Sequence, residues 1–584
     1  MGNESAFGYE LRDGTASLRT EPKLSSAEAL KQSSRHLRGT ITEELNNSLP
    51  QFSNSATGVL KFHGIYQQDD RDLRNQRPER EFSAMVRVGI PGGRLTAEQY
   101  LQIDRLADAV GDGTLRLTSR QDVQYHRVSK GSLRELISRL HSIDLSTLAA
   151  CGDVVRNVVC CATPLVSATR QDLQPYVMQL SRELKPRTQA YAEIWLDGER
   201  AASLESEQEP LYGNTYLPRK FKIGFANEGE NTTDIYSHDL GFVAHLDRGE
   251  LAGFTMLAGG GLGLSNGVRA SHARLADPIA FIPPERLLPA AKAAVTIHRD
   301  FGNRENRRLA RLKYVIEAWG VSAFRNELER RMGEALAPPR PLVWQRSEDY
   351  LGWHPQGDGR WFCGVRVISG RIRDFGQQRM RSGLRDLIER LRPEVRLTVQ
   401  QNLLMAGIAA EDRVEVNRLL RFHGIVHAAS LPPVLRHSMA CPALPTCGQA
   451  VTESERVLPS VADQIQRAWD AAGMYGEPLC VRITGCPNGC ARPYTAEIGI
   501  VGQSKELYSL YLGGSPLGTR LAELLCHEVK LEQIAATLSP IFAQYAVERR
   551  PGERFGDWTA RKGVARLFET DTSFACGAGK EIRV

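Results

Sequence analysis

The chain has 584 residues, 42% of them apolar, with 74 Lys and Arg against 68 Asp and Glu, a formal excess of +6. That length exceeds what one hydrophobic core organises and implies three or four domains at about 150 residues each. No apolar run approaches the roughly eighteen residues of a membrane span, and the basic residues are interspersed with acidic ones, which argues against a membrane protein or a dedicated nucleic-acid surface.

The N-terminus, Met1 to Phe7, has neither the basic start nor the apolar stretch of a signal peptide, so a cytoplasmic protein is expected. In a reducing compartment eleven cysteines read as ligands or buried thiols rather than disulfides. The first 55 residues are polar without clear periodicity and predict an extended arm, 1–82 in all. From Lys61-Phe62-His63-Gly64 to Asp72, aromatic, basic and acidic groups crowd into what reads as a loop.

A repeat follows. Val86-Arg87-Val88 leads through a helical stretch to Leu115-Arg116-Leu117-Thr118, and Val365-Arg366-Val367 leads through another to Val395-Arg396-Leu397-Thr398. The offset is 279 residues at the first Arg and 280 at the second. Two distant copies of a strand-helix-strand unit each leave a sheet edge to bury, and pairing them buries both. The expected organisation is a pseudo-twofold pair of half-domains, 83–146 and 346–428, with further α/β domains at 147–345 and 429–584.

Within the first copy, strand alternation places Arg116, Thr118, Arg120, Asp122, Gln124 and His126 on one face and Leu115, Leu117, Val123 and Tyr125 on the other. A solvated sheet face and an anion-binding wall are equally good explanations of that polar row. Beyond it, Arg156 and Asn157 stand before the apolar Val158 and Val159, and a half-buried Arg needs an anionic partner. The adjacent Cys160 and Cys161 cannot both face one site on an extended strand. Lys220 and Lys222 lie two apart and point the same way, either as edge protection or around an anion. The glycines from Gly259 to Gly263 lack the Lys-Ser of a phosphate loop, so no nucleotide site is expected.

The last element is the most specific. Cys441 and Cys447 enclose five residues, and thirty-nine residues after Cys447 come Cys486-Pro-Asn488-Gly-Cys490. Four thiolates suit tetrahedral zinc or a four-iron cluster. The wide, proline-containing first pair favours the larger group, and the accompanying Pro and Gly leave backbone amides free to face sulfides.

This cysteine pattern resembles that of the assimilatory sulfite and nitrite reductase hemoproteins, and the resemblance extends over most of the chain. It implies a mixed α/β fold with two ferredoxin-like half-domains and two further cofactor-binding α/β domains, and it implies siroheme beside a 4Fe-4S cluster. By resemblance Cys441, Cys447, Cys486 and Cys490 hold the cluster, and Cys490 is shared with the siroheme iron. Arg116, Thr118, Arg120, Gln124, His126, Arg156, Gln401 and Asn488 are the implied siroheme residues, the arginines pairing with its eight carboxylates. Arg87, Arg156, Lys220 and Lys222 are the implied substrate cations. The Lys61 to Gly64 segment resembles sulfite rather than nitrite reductases. Six-electron reduction of sulfite to sulfide is therefore the expected activity, with nitrite reduction to ammonia, or a zinc-stabilised basic binding protein, as alternatives. No flavin or NADPH module is legible, so a ferredoxin or a separate flavoprotein is expected to supply electrons. A thioether between Tyr66 and Cys161, found in some actinobacterial relatives, is a further expectation; Cys576 in the C-terminal tail has no assigned role.

Overall fold

The computed structural model describes residues 24–74, 76, 80–188 and 209–567, together with the backbone of four short strands, Tyr9–Arg12, Thr15–Leu18, Ile194–Leu196 and Glu199–Ala202. Cys576 lies outside the described residues.

The repeat folds as two matching five-stranded sheets. One runs Arg371–Ile372, Leu115–Leu117, Val123–Val128, Phe82–Val88, Ile65–Asp69; the other runs Arg94–Leu95, Glu394–Leu397, Leu403–Ile408, Trp361–Val365, Gly352–Pro355. Each sheet is closed at one edge by a two-residue strand lent by the other half. Arg371 pairs with Arg116, and Arg94 pairs with Arg396. The exchange is reciprocal, so one interaction covers two exposed edges at once. The helices of the two halves, Ala97–Val110 and Met380–Leu391, meet across the same axis. There the fully buried Asp104 accepts from Arg381 Nε at 2.7 Å and also pairs with Arg385. The first helix starts at a capping box, Thr96 with Gln99, which satisfies two otherwise orphaned amides.

A six-stranded sheet in the order Asp277–Ile282, Glu250–Ala258, Leu240–Asp247, Ile223–Asn227, Gly229–Glu230, Trp344–Arg346 shares its core with the two half-domains. Helices Leu287–Phe301, Leu312–Trp319 and Val321–Met332 follow its edge strand in sequence. The C-terminal sheet, Met439–Ala440, Val481–Thr484, Ile498–Ser504, Leu507–Leu512, Glu523–Val529, packs a separate core around Trp469, Phe542 and Trp558. No helix among the described residues is long and apolar enough to cross a membrane.

Two expectations fail here. From Ser26 onward the N-terminal stretch is not an extended arm but three short helices, Ser26–Ser33, Ile41–Leu45 and Asn54–Leu60, which place Leu37, Ile41, Phe52, Ala56, Val59 and Leu60 in the main core. Helices of this length are too short to show a periodic apolar face. Nor is Arg116 to His126 one strand. It is a hairpin, Leu115–Leu117 and Val123–Val128, whose turn is closed by Thr118 N–H on Asp122 O at 2.9 Å and carries Gln121 at φ +57°. The second copy repeats the turn, with Thr398 N–H on Asn402 O at 2.9 Å and Gln401 at φ +68°. The Thr118 hydroxyl accepts from the amides of Arg120 and Asp122, and so serves the turn itself.

Candidate active site

The hairpin breaks the alternation but brings most of its polar row together by another route. Arg116 and Gln124 are cross-strand partners, and Gln124 faces Arg87 on the next strand. With its amide turned to satisfy both groups, Gln124 accepts from Arg87 Nε at 3.2 Å and Nη2 at 2.7 Å. His126 is buried in the same row, and burial, then the charges of Arg371 and Arg116, hold its pKa well below the ordinary value. The second copy places Arg366, Leu404 and Ala406 in the corresponding positions; Arg366 donates to Asn402 Oδ1 and to backbone carbonyls, so that half fills its own site with protein. Only the first copy presents a free polar wall among the described residues.

Arg120 lies at the tip of that hairpin. It contacts His238 Nδ1 at 2.9 Å and donates to the carbonyls of Ile223 and Asn157. Asn157 in turn donates to Ile90 O and Arg120 O. Arg156 N–H donates to Phe221 O at 2.8 Å, and its guanidinium is held by Gly152 O at 2.7 Å. Lys220 and Lys222 flank Phe221, whose bridge to Val155 joins the two segments just ahead of the strand Ile223–Asn227. Burial, then the neighbouring Arg219 and Arg311, lowers Lys220 to about 7; burial, then Lys220 itself, holds Lys222 well below its ordinary value. Arg120 falls to about 9 through burial, against the pull of Asp122. So many depressed cations facing one region mark a site shaped for an anion.

The cysteine loops approach from the other side. Cys441 Sγ accepts from Gly485 N–H at 3.3 Å, and Cys486 Sγ lies 3.6 Å from Asn488 Nδ2. Cys441, Cys447 and Cys486 each interact electrostatically with Cys490, and Cys490 also interacts with Lys220, Lys222 and Arg87. Cys490 thus stands between the thiols and the cations. The Ser119 hydroxyl donates to Cys490 O at 3.0 Å, seating the loop on the hairpin turn, and Arg492 reaches Val399 O at 3.1 Å in the turn of the second copy. Gln401 belongs to that second turn, and its side-chain oxygen is buried without a partner.

Several participants have no sequence signal. The glycine-rich loop packs on the cysteine loop: Leu264 N–H donates to Pro487 O at 2.9 Å, and a Cβ on Gly263 would meet Asn488 O at 2.9 Å. Buried Lys313 holds that loop through Gly261 O at 3.0 Å and Gly263 O at 3.2 Å. Arg71 donates to Ala450 O at 2.8 Å and to Cys447 O, so the Lys61 to Asp72 segment ends as a clamp on the cysteine region. Asp153 with Arg307, Asp239 with Arg311 and Asp234 with Arg482 and Arg492 are pairs from distant parts of the chain.

Two sequence assignments change. Arg116 is engaged by Glu455 at 2.8 Å and by Ala440 O at 3.0 Å, beside Arg371 on the same carboxylate. Burial opposes the Glu455 charge, but Arg116 and then Arg371 hold its pKa down to about 2. Its contribution to stability is therefore present above the ordinary value of 4.5 and lost as pH falls through about 2. Glu455→Gln would leave the buried Arg116 and the half-buried Arg371 guanidinium groups without their shared carboxylate. An expected cost of about 3–5 kcal/mol should appear as a lower urea midpoint, with that part of the acid dependence gone.

The thiol beside Tyr66 is Cys151, not Cys161. Burial, then Cys151, raises the phenol to about 12, while the charges of Arg156 and Arg87 pull the other way. Cys161 points instead toward Glu230 O at 3.7 Å and Phe225 O at 4.0 Å. The neighbours of the two side chains therefore do not favour the expected Tyr66–Cys161 link. Peptide mapping after denaturation should recover Cys161 as a free thiol that alkylates fully; a Cys161 peptide joined to the Tyr66 peptide would contradict the geometry.

The residues present fit a polycarboxylate macrocycle and a sulfide-bridged cluster. Arg120 Nε, Asn157 Oδ1, Gln401 Oε1 and both His126 nitrogens are buried without hydrogen-bond partners among the described residues, and such groups persist where a ligand completes them. Soft thiolates on two loops, with amide donors at Gly485 and Asn488, suit iron and sulfide.

Comparison with known proteins agrees. The model of the nitrite/sulfite reductase ferredoxin-like half domain matches residues 75–143 and 354–423, and that of the nitrite and sulphite reductase 4Fe-4S domain matches 178–336. The second stretch contains none of the four cysteines but does contain Lys220, Lys222 and the glycine-rich loop. The chain is 44% identical to the sulfite reductase (NADPH) hemoprotein beta-component of Myxococcus xanthus over 93% of its length and 97% of the relative's. It is also 44% identical to the protein of that name from Chromohalobacter salexigens, over 92% and 95%. The structure of Mycobacterium tuberculosis NirA protein has the same fold, with a TM-score of 0.77 at 23% identity over 94% of this chain and 98% of that one. A repeat that exchanges strands, a cationic wall in one copy only, and thiol loops meeting it at Cys490 thus accompany similarity along nearly the whole chain, and the chain belongs to the nitrite and sulphite reductase family.

Proposed function

We propose that this protein reduces sulfite to sulfide by six electrons, as the hemoprotein component of an assimilatory enzyme, with siroheme and a 4Fe-4S cluster as its cofactors. The observation that carries this reading is Cys490, a thiol whose charge acts both on the other three cysteines and on Lys220, Lys222 and Arg87. When bound, the two cofactors supply the electrons and the iron at which sulfite sulfur is held. Cys441, Cys447, Cys486 and Cys490 would hold the cluster, and Cys490 would also serve the siroheme iron.

Arg120, Gln124, His126, Gln401 and Asn488 line the macrocycle, with Thr118 shaping the turn that presents them. Arg116 contributes through the Glu455 and Arg371 group on the cluster side. Arg87, Arg156, Lys220 and Lys222 neutralise the sulfite dianion and order the waters that deliver protons as its oxygens leave as water. Electrons arrive from a separate protein. Relatives named as beta-components of an NADPH enzyme favour a flavoprotein subunit over a ferredoxin.

Turnover of sulfite and of nitrite, each driven by reduced methyl viologen so that no protein donor is needed, tests the reading. A higher kcat/KM for sulfite, with sulfide released, supports it; a clear preference for nitrite would transfer the assignment to ammonia formation.

A further inference from the structure

The helix Ser26–Ser33 turns two charged side chains inward. Glu28 is 1% exposed and Lys31 2%, in a segment whose composition is that of a solvated arm. Lys31 Nζ donates to Glu28 Oε1 at 2.5 Å and to Leu217 O at 2.7 Å, and lies 3.8 Å from Asp153 Oδ2. Glu28 pairs in turn with Arg304, which donates to Tyr216 O at 2.7 Å, and Ser25 N–H donates to Arg304 O at 3.1 Å.

These contacts fall on the two segments that carry the substrate cations. Leu217 N–H donates to Asp153 O at 3.0 Å, Phe221 N–H to Val154 O at 3.0 Å and Arg156 N–H to Phe221 O at 2.8 Å, so residues 153–156 and 217–222 form one paired unit. Lys31 touches both sides of it, one through a carboxylate and one through a carbonyl. Asp153 also takes Arg307 Nη2 at 2.9 Å and faces Arg219 at 3.9 Å, which makes it the carboxylate around which the cations are spaced. With Lys31 removed, Leu217 O loses a donor and Asp153 a neighbouring opposite charge in a buried place, where no water replaces them at equal strength.

We propose that Lys31 and Glu28 are positioning residues for sulfite: the first helix staples the Arg156 segment to the Lys220 and Lys222 segment and sets the spacing of their charges. The inference rests on the placing of sulfite at Arg156, Lys220 and Lys222. Neither Lys31 nor Glu28 touches substrate.

Steady-state kinetics with reduced methyl viologen and varied sulfite, on holoenzyme whose siroheme and cluster absorption matches the parent, tests it. Lys31→Met and Glu28→Gln should raise KM about tenfold with a smaller change in kcat, within the range that misplacement of positioning groups produces. Lys31→Arg, which keeps the charge, should recover part of the loss. Should Lys31→Met fail to fold, the isosteric Glu28→Gln decides alone. Parent-like KM in Glu28→Gln and in folded Lys31→Met, beside a raised KM in Lys220→Met, would overturn the proposal. Parent-like kinetics in Lys220→Met would instead overturn the placing of sulfite.

Discussion

Cys490→Ser is expected to lower sulfite turnover to background and to disturb both cofactors together. Serine is a hard, poorly ionised ligand, so it replaces a thiolate badly at iron. Its geometry makes the double effect specific. Cys441 and Cys486 are buried, with amide donors on their sulfurs, whereas Cys490 is exposed on the cation side and interacts with both sets of groups. Iron and sulfide content, the visible spectrum and EPR of the reduced protein are the readouts. A Cys490→Ser protein with normal cluster signals and normal siroheme absorption would refute the shared ligand. Cys447→Ser should by contrast remove the cluster first, since Cys447 sits on the Arg71 side of the cysteine region, where Arg71 donates to its carbonyl.

The second large effect is expected at the lysines. Lys220→Met or Lys222→Met should reduce kcat/KM for sulfite by roughly a hundred- to a thousandfold, the scale on which loss of a single charge-stabilising donor acts. Siroheme absorption should be retained, because Arg120 and the hairpin groups proposed to line the macrocycle are untouched. Burial and neighbouring cations, Arg219 and Arg311 at Lys220 and Lys220 and Arg311 at Lys222, already depress both ammonium groups, so a nearby anion relieves a repulsion that methionine removes without supplying charge. Arg120→Met should show the opposite pattern, with weakened siroheme retention as the primary defect. Siroheme loss from the lysine variants with Arg120→Met intact would exchange the two roles.

The architecture explains why one fold with two equivalent halves carries one candidate site. Arg87, Gln124 and His126 in the first half correspond to Arg366, Leu404 and Ala406 in the second. Arg366 is saturated by Asn402 and carbonyl oxygens, whereas Arg87 meets the side chains of Gln124 and, at 3.9 Å, Asp122. The second half nonetheless participates. It lends Arg371 to the first sheet, and its turn at Val399 receives Arg492 two residues beyond Cys490.

The cysteine set, the repeat and the types of cation were legible in the sequence because each is encoded over short range. Thiol spacing, a recurring Val-Arg-Val and Arg-Leu-Thr, and paired lysines need no partner to be recognised. The assignments that failed depended on groups hundreds of residues away or on local turns with no distinctive composition. Arg116 to His126 reads as a strand because the apolar residues on either side of Thr118 to Asp122 keep one register; the Thr118 to Asp122 hydrogen bond and the left-handed Gln121 turn it into a hairpin. The partner of Arg116 is 339 residues away, and Lys31 meets Leu217 across 186. Tyr66 met Cys151 rather than Cys161 for the same reason: choosing between two cysteines ten positions apart requires the direction of each side chain. By itself, then, the sequence determined which chemical groups the protein holds and how its halves repeat. Tertiary structure alone decided which charges face one another, because the energy of a buried ion depends on every neighbour within a few ångströms and none of those neighbours need be near in the chain.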